Sequence, residues 1–276
     1  MLKQRTLTAL VLAPLAIALI LLAPTALFAL VTGALSLQAI WEWTRLAGVA
    51  SNAARIAVIA VNAALIAVLW TVRDEPLAWY VIGAGVAWWF LSLLWLKHFS
   101  YAAAPTRENT VLKVIAAEFA VLPAWLALAH LHGEGDHGRS WALLAIVLVW
   151  AADTGAYFAG KRFGTTKLAP RISPNKTRAG AYGALLVAGT VAVVAGWMLG
   201  TRDAALVGLA ALALVTVLAS ILGDLIESLL KRQANVKDSG TLFPGHGGLL
   251  GRLDSVFAAV PVFVAGKALI GLLLAS

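Results

Sequence analysis

The chain has 276 residues, of which 61% are hydrophobic and 12% are charged, and its formal net charge is +8 at pH 7. A soluble domain of this length needs far more charge on its surface. The absence of cysteine from the sequence excludes disulfides, thiolate chemistry and cysteine-ligated zinc. The apolar residues come in runs of roughly 20, the length of a helix that crosses a bilayer. The composition therefore predicts a membrane protein rather than a set of soluble domains.

Nine apolar segments predict nine transmembrane helices, so the expected fold class is an all-α polytopic membrane protein with two long basic cytoplasmic loops. The segments cover residues 7–23, 25–41, 55–71, 77–96, 112–130, 141–160, 180–200, 204–230 and 254–275. We interpret residues 1–276 as a single integral membrane domain. Within it, residues 1–140 supply N-terminal helices and residues 141–276 form the half that carries the chemically distinctive residues.

The distribution of basic residues predicts the orientation of the chain in the membrane. With the N-terminus in the cytoplasm, the outside loops hold only Arg73, Arg139 and Arg202. The cytoplasmic side then holds 17 basic residues, namely Lys3, Arg5, Arg45, Arg55, Lys97, Arg107, Lys113, Lys161, Arg162, Lys167, Arg171, Lys176, Arg178, Lys231, Arg232, Lys237 and Arg252. Cytoplasmic loops of membrane proteins carry such an excess. The bias predicts a cytoplasmic N-terminus and accounts for the basic charge without nucleic acid as a partner.

Ionisable side chains inside the predicted spans are costly in hydrocarbon, so each of them needs a partner or a function. They are Glu118, Asp153, Asp224, Glu227, Asp254 and Lys267. For Glu118 and Lys267 we expect a structural ion pair or a side chain that extends to the membrane surface.

Four polar residues in the penultimate span point to a binding site. Asp224, Glu227, Ser228 and Lys231 follow the spacing i, i+3, i+4 and i+7, which puts them on one face of a helix. The face ends at the cytoplasmic surface, where Arg232 continues the basic cluster. Carboxylate oxygens bind Mg²⁺, and basic side chains neutralise phosphate. The pattern favours a site for a metal and phosphates, with a solvated charged helix end as the alternative.

The two long cytoplasmic loops, residues 161–178 and 231–252, are rich in Gly, Pro and basic residues. In the second loop, glycines allow backbone N–H groups to approach an anion closely. Lys237, His246 and Arg252 add side-chain donors to the same loop. The sequence G-x-x-x-x-G-K-[ST] does not occur in the chain, which excludes a P-loop ATPase.

Two runs of residues form distinctive motifs in the C-terminal half. The longer one is Ser228-x-x-Lys231-Arg232-x-x-x-x-Lys237-Asp238-x-Gly240, followed by Pro244-Gly245-His246-Gly247-Gly248 and Arg252-x-Asp254. The other is Asp153-Thr154-Gly155-Ala156-Tyr157-Phe158 with Gly164, followed by Ser173-Pro174-x-Lys176-Thr177. Together these motifs resemble the signature of the phosphatidate cytidylyltransferase family, the CDP-diacylglycerol synthases. The N-terminal helices match that family only in number and hydrophobicity.

The resemblance implies a nucleotidyltransferase that makes CDP-diacylglycerol and pyrophosphate from CTP and phosphatidate in the bacterial cytoplasmic membrane. It implies Mg²⁺ as cofactor and leaves a second cation and a homodimer open. We predict Asp224 and Asp254 as the metal ligands in this chain. The catalytic residues that it implies are Lys176, Ser228, Lys231, Arg232, Lys237, Asp238, His246 and Arg252. The substrate-binding residues that it implies are Asp153, Ser173, Thr177, Gly245, Gly247 and Gly248.

One departure from the family pattern concerns the metal. The family normally has His-Gly-Gly-x-x-Asp-Arg-x-Asp, and Gly251 stands in place of the first Asp of this pattern. The resemblance implies that this carboxylate pairs with Asp224 to hold the metal, so we expect weak or no activity unless Asp254 or Asp238 supplies the ligand. Two other classes remain open: a non-catalytic lipid-binding paralogue, and a transporter, which would carry acidic residues near mid-bilayer in two repeated halves.

Overall fold

The computed structural model of the chain describes residues 2–242 and 247–275, and the side chains of residues 11–242 and 247–271. These residues form nine helices and one short β-hairpin. The elements are α1 (Leu2–Leu22), α2 (Thr25–Leu46), α3 (Asn52–Thr71), α4 (Pro76–Lys97), α5 (Arg107–Gly133), α6 (Gly138–Phe163), β1 (Lys167–Ala169), β2 (Ser173–Thr177), α7 (Arg178–Met198), α8 (Asp203–Gln233) and α9 (Leu250–Ala275).

The lengths and composition of the helices confirm a multi-pass membrane protein. Eight of the described helices, α2 to α9, are long and apolar enough to cross a bilayer, whereas the described apolar part of α1 is the shorter stretch Val11–Leu22. Large apolar side chains such as Leu30, Phe90 and Leu186 are exposed on the outer surface of the bundle. Exposed apolar surface of this extent fits a lipid environment and not water.

Several helices continue beyond the apolar segments that predicted them. α2 ends at Leu46 and α5 begins at Arg107, five residues outside the predicted bounds 41 and 112 in each case. The start of α5 is capped by Thr106, whose hydroxyl accepts a hydrogen bond from the backbone N–H of Asn109 at 3.3 Å. Apolar runs mark the hydrocarbon layer, while backbone hydrogen bonding continues into the polar interface. The prediction of helix ends was therefore wrong by about a turn at these positions.

The first basic loop contains an antiparallel β-hairpin, which the prediction of two loops and an all-α chain did not include. Lys167 pairs with Thr177 and Ala169 pairs with Ser173. Thr177 also caps α7, since its hydroxyl accepts a hydrogen bond from the backbone N–H of Gly180 at 3.1 Å. The hairpin is thus fixed directly to the start of a transmembrane helix.

Small residues bring the C-terminal helices close together. α6 and α7 pack where Gly155 and Gly183 face each other, and a Cβ on either glycine would overlap the other helix. α8 packs on α9 where Gly223 lies against the backbone of Asp254. Close packing through small residues is a common way for membrane helices to associate. It brings α6, α7, α8 and the start of α9 together around the hairpin.

Candidate active site

A pocket of about 540 Å³ lies between α6, the hairpin, α7 and α8. It brings residues of the shorter motif together with Asp224 of α8: its lining includes Asp153, Ser173, Lys176, Thr177 and Asp224. The walls include Gly160 and Ala184 among other small or apolar residues. The pocket therefore combines an open interior with a few converging polar groups, as ligand sites commonly do.

Asp224 is the polar centre of this pocket. One carboxylate oxygen forms an ion pair with the Nζ atom of Lys176 from β2. The other accepts a hydrogen bond from the hydroxyl of Ser228, one turn further along α8, at 3.3 Å. Both charged side chains are partly exposed, so each remains accessible to a ligand that enters the pocket.

Two further carboxylates lie deeper in the packing of α8 against α9. Glu227 is almost fully buried and forms an ion pair with Lys231 on the next turn of α8. Asp254 is buried in α9 and accepts a hydrogen bond from the backbone N–H of Ser255 at 2.6 Å. Its backbone packs against Gly223 of α8, one residue before Asp224. Buried charges of this kind require partners, because the interior solvates them poorly.

The chemistry of these donors fits a hard divalent cation. The carboxylates of Asp224 and Asp254, with Glu227 beside them, offer the oxygen ligands that Mg²⁺ prefers. In the described part of the chain, no three acidic or histidine side chains approach closely enough to form a complete metal cage. Mg²⁺ commonly takes only one or two carboxylates and completes its shell with water and substrate phosphates. The assignment of Mg²⁺ to Asp224 and Asp254 stays a prediction.

Gly251 lies in the first turn of α9 and not in the preceding loop, which corrects its predicted position, since α9 was predicted to begin at residue 254. A Cβ at this position would be 3.2 Å from Oε1 of Glu227 and 3.9 Å from Nζ of Lys231. The nearest neighbours of a side chain here are thus Glu227 and Lys231, whereas the family pattern implied a pairing with Asp224.

The other predicted site residues lie outside the lining of the 540 Å³ pocket, and they are Ser228, Lys231, Arg232, Lys237, Asp238, Gly247, Gly248, Arg252 and Asp254. Arg232 donates a hydrogen bond to the backbone carbonyl of Ile172 at 3.3 Å, beside the hairpin. Arg232 and Lys237 line a separate polar cleft, and Arg252 lines a small cavity among apolar side chains. Gly245 and His246 lie outside the described residues.

Glu42 is a candidate functional residue that sequence reasoning missed. Its side chain is 3% exposed on α2, and its carboxylate accepts hydrogen bonds from residues that flank the glycine-rich segment of the second loop. The predicted helix ended at residue 41, so Glu42 fell into a loop where a charge needs no explanation. The sequence signal was an acidic residue between Trp41 and Trp43, directly after an apolar run.

An apolar groove of about 580 Å³ adjoins the polar pocket, between α4 and α8. Its lining includes Trp89, Phe90 and Leu218, and Lys97 is the charged residue of the lining. Leu168 of the hairpin and Ile221 of α8 line both cavities. A ligand with a polar and an apolar part could therefore occupy the two cavities at once.

Comparisons with known proteins find similar sequences over nearly the whole chain. A phosphatidate cytidylyltransferase of Haemophilus influenzae is 37% identical over 284 residues, which cover 95% of this chain and 97% of that protein. A phosphatidate cytidylyltransferase of Pseudomonas aeruginosa is 41% identical over 269 residues, which cover 96% of each chain. The sequence model of the cytidylyltransferase family matches residues 3–269, which include the N-terminal helices. The resemblance inferred from the motifs is confirmed, and the chain belongs to the cytidylyltransferase family.

Proposed function

We propose that this protein is a phosphatidate cytidylyltransferase of the bacterial inner membrane, with CTP and phosphatidate as substrates. The observation that carries the proposal is the polar pocket around Asp224 and Lys176, which adjoins an apolar groove. A phosphorylated nucleotide needs the first of these cavities, and a phospholipid needs both. The two relatives named above bear the name of this activity.

The proposed reaction is nucleotidyl transfer. A phosphate oxygen of phosphatidate attacks the α-phosphorus of CTP, the bond from that phosphorus to the oxygen bridging to the β-phosphate breaks, and pyrophosphate leaves. The attacking phosphate is already anionic near neutral pH, so the reaction needs no strong general base. Catalysis then consists of positioning and charge neutralisation. Lys176, at the pocket wall, supplies positive charge to the phosphates.

Mg²⁺ would bind to Asp224 and Asp254, whose oxygens suit it. When bound, the ion supplies charge neutralisation to the phosphates and the leaving group. The chain's own residues have complementary tasks: Ser228 orients the carboxylate of Asp224, and Asp153 and Ser173 offer polar contacts in the pocket wall.

The apolar groove suits the acyl chains of phosphatidate. It opens between α4 and α8 on the surface of the helix bundle and meets the polar pocket at Leu168 and Ile221. With the phosphate group in the pocket, the chains would lie along the groove in contact with the membrane interior. The lipid could thus enter sideways from the cytoplasmic leaflet without leaving the hydrocarbon layer.

The test is pyrophosphate release by the purified protein in detergent–lipid micelles with Mg²⁺. Because Gly251 is expected to weaken the activity, the Gly251→Asp variant is measured alongside. Release should require both CTP and phosphatidate and should be abolished by Asp224→Asn in a protein that stays monodisperse. Absence of release from both the parent chain and Gly251→Asp would contradict the proposal. If both proteins bind phosphatidate but neither turns it over, the result would instead support a non-catalytic paralogue. Gly251 is the one feature of the sequence that favours this alternative.

A further inference from the structure

Among the residues that the structure describes, Glu42 forms the most extensive buried hydrogen-bond cluster outside the pocket. Its carboxylate accepts hydrogen bonds from the hydroxyl of Ser239 at 2.8 Å and from the backbone N–H groups of Leu249 and Leu250 at 2.9 Å each. The side-chain amide of Gln38 donates a fourth bond at 3.3 Å. Each carboxylate oxygen accepts two of the four bonds, a pattern that suits an ionised, acceptor-only carboxylate.

Apart from Gln38, which is on α2 itself, the donors lie on both sides of the glycine-rich segment. Ser239 precedes residues 240–248, and Leu249 and Leu250 follow them. Leu250 is the first residue of α9, so the two backbone donors belong to the N-terminal end of a helix, where N–H groups lack partners within the helix. A negative charge is favoured at that end. One carboxylate on α2 therefore joins the two ends of a segment about 200 residues further along the chain.

Two glycines of this segment fit against the same carboxylate. A Cβ at Gly240 would lie 2.6 Å from Oε1 and 2.7 Å from Cδ of Glu42. A Cβ at Gly248 would overlap both Glu42 and Ser239 and would lie 2.6 Å from the backbone nitrogen of Gly240. These positions have no space for a side chain while Glu42 is in place. Their glycines thus serve close packing on Glu42, besides any contact that they make with phosphate.

The same cluster fixes the start of α9 relative to the pocket. Asp254 and Ser255 lie on the first turns of this helix, and Ser255 lines the pocket. Asp254 packs against Gly223 of α8, one residue before Asp224. A change at Glu42 would therefore be transmitted through the start of α9 to the carboxylates of the proposed metal site.

We infer that Glu42 is a positioning residue: its carboxylate holds the two ends of the 239–250 segment on α2 and thereby sets the place of α9 in the active site. The inference rests on the proposed function for its effect on catalysis, but the contacts of Glu42 are independent of that function. On this inference α2, a helix of the N-terminal half, is part of the catalytic unit.

The experiment compares Glu42→Gln with Glu118→Gln as a matched control. Glu118 is another carboxylate within a membrane helix of the N-terminal half, and its hydrogen-bond partner is Asn62 at 2.9 Å. The amide introduced by Glu42→Gln has one acceptor atom where the carboxylate has two, and its NH₂ group would face backbone or hydroxyl donors. Hydrogen exchange at Leu249 and Leu250 should accelerate in Glu42→Gln and stay unchanged in Glu118→Gln. Unchanged protection in Glu42→Gln would overturn the inference whether or not the protein is active.

Turnover is the second readout and is measured in the Gly251→Asp background, where a higher rate is expected. Glu42→Gln should lower kcat at least about 10-fold, since small misplacements of reacting groups are costly. The KM for phosphatidate should stay nearly constant, because Glu42 does not line the apolar groove. Loss of exchange protection with unchanged kcat would overturn the positioning role and leave the proposed function intact. Absence of turnover in the background protein itself would count against the proposed function and not against the contacts of Glu42.

A double-mutant cycle separates this role from a general loss of stability. Within the Gly251→Asp background, Gly240→Ala alone should lower kcat, because its Cβ would collide with Glu42. The three atoms nearest to that Cβ all belong to Glu42. When Glu42→Ala is also present, the added Cβ of Gly240→Ala has space, so this substitution should lower kcat only slightly further. Additive effects of Gly240→Ala and Glu42→Ala would contradict the proposed contact.

Discussion

Asp224 illustrates what a sequence pattern can predict at the scale of single residues. Its spacing to Ser228 and Lys231 put the three side chains on one helical face, and the structure has Ser228 hydrogen-bonded to Asp224. The ion pair between Asp224 and Lys176 joins two residues 48 positions apart, and helical spacing contains no information about such a contact. The resemblance to a family implied Asp224 as a metal ligand and Lys176 as a catalytic residue, and it was what assigned both residues to one site.

Glu42 shows where residue-level reasoning failed. A charge at the end of an apolar run is usually solvated at the membrane surface, so it attracted no interpretation. Its burial follows from tertiary contacts with Ser239, Leu249 and Leu250, which lie about 200 positions away. Hydrophobic periodicity records the environment of a helix face and not the identity of a distant partner.

Gly251 leads to a prediction at the same scale. A carboxylate at this position would lie beside Glu227 and Lys231, where it could supply a further ligand to the proposed Mg²⁺ site. The bound ion would then neutralise negative charge in the transition state. Gly251→Asp should therefore raise CDP-diacylglycerol formation at saturating Mg²⁺ by about 10²-fold or more. Gly251→Asn, which has the same shape without the charge, is the control and should give no such gain. If the Gly251 protein is already as fast as its Asp variant, another carboxylate supplies the ligand, and Glu227 is then the nearest candidate.

At the scale of elements, the apolar runs predicted which segments are helical but not where the helices end. The β-hairpin was not predicted, because Ser173-Pro174-Asn175-Lys176-Thr177 contains residues that are depleted in strands and shows no alternation of apolar and polar side chains. Its second strand leads directly into α7, where Thr177 caps the helix. The element that carries Lys176 into the pocket was therefore visible only in three dimensions.

The groove between α4 and α8 yields a prediction about the lipid substrate. Leu218→Trp adds bulk to the lining of this groove and should raise the KM for long-chain phosphatidate several-fold, while the KM for CTP stays nearly constant. Short-chain phosphatidate should be affected less, because its tails occupy less of the groove. Val207→Trp is the matched control: Val207 is an exposed residue of the same helix outside the groove lining. Equal effects of the two substitutions would mean that the groove does not bind the acyl chains.

At the scale of the whole molecule, hydropathy predicted a multi-pass protein but not the arrangement of its helices. α5 is the most buried of the candidate spans, with 67% of its apolar window inside the protein, whereas α3 has 6%. Lipid-facing and protein-facing surfaces are both apolar in a membrane, so composition separates them poorly. The central position of α5 depends on small residues such as Ala117, Ala120 and Ala127, which are fully buried.

The orientation of the chain is a separate prediction, based on the excess of basic residues in the loops assigned to the cytoplasm. The chain has no cysteine, so single cysteines can be introduced at Lys167, in the hairpin, and at Asn235, after α8. Both should react with a membrane-impermeant maleimide only after the cytoplasmic side is made accessible. A cysteine at Asp136, between α5 and α6, should react in intact cells and serves as the control. Labelling of position 167 or 235 from outside would contradict a cytoplasmic N-terminus.

The proposed activity as a whole depends on which phosphorus of CTP is transferred. The most direct test supplies the Gly251→Asp protein and the parent chain with phosphatidate and CTP labelled with ³²P at either the α or the γ position, and then measures label in the extracted lipid. Attack at the α-phosphorus predicts that α-label enters the lipid as CDP-diacylglycerol and that γ-label appears only in pyrophosphate. Transfer of γ-label to the lipid, or no transfer of α-label by either protein, would contradict the account.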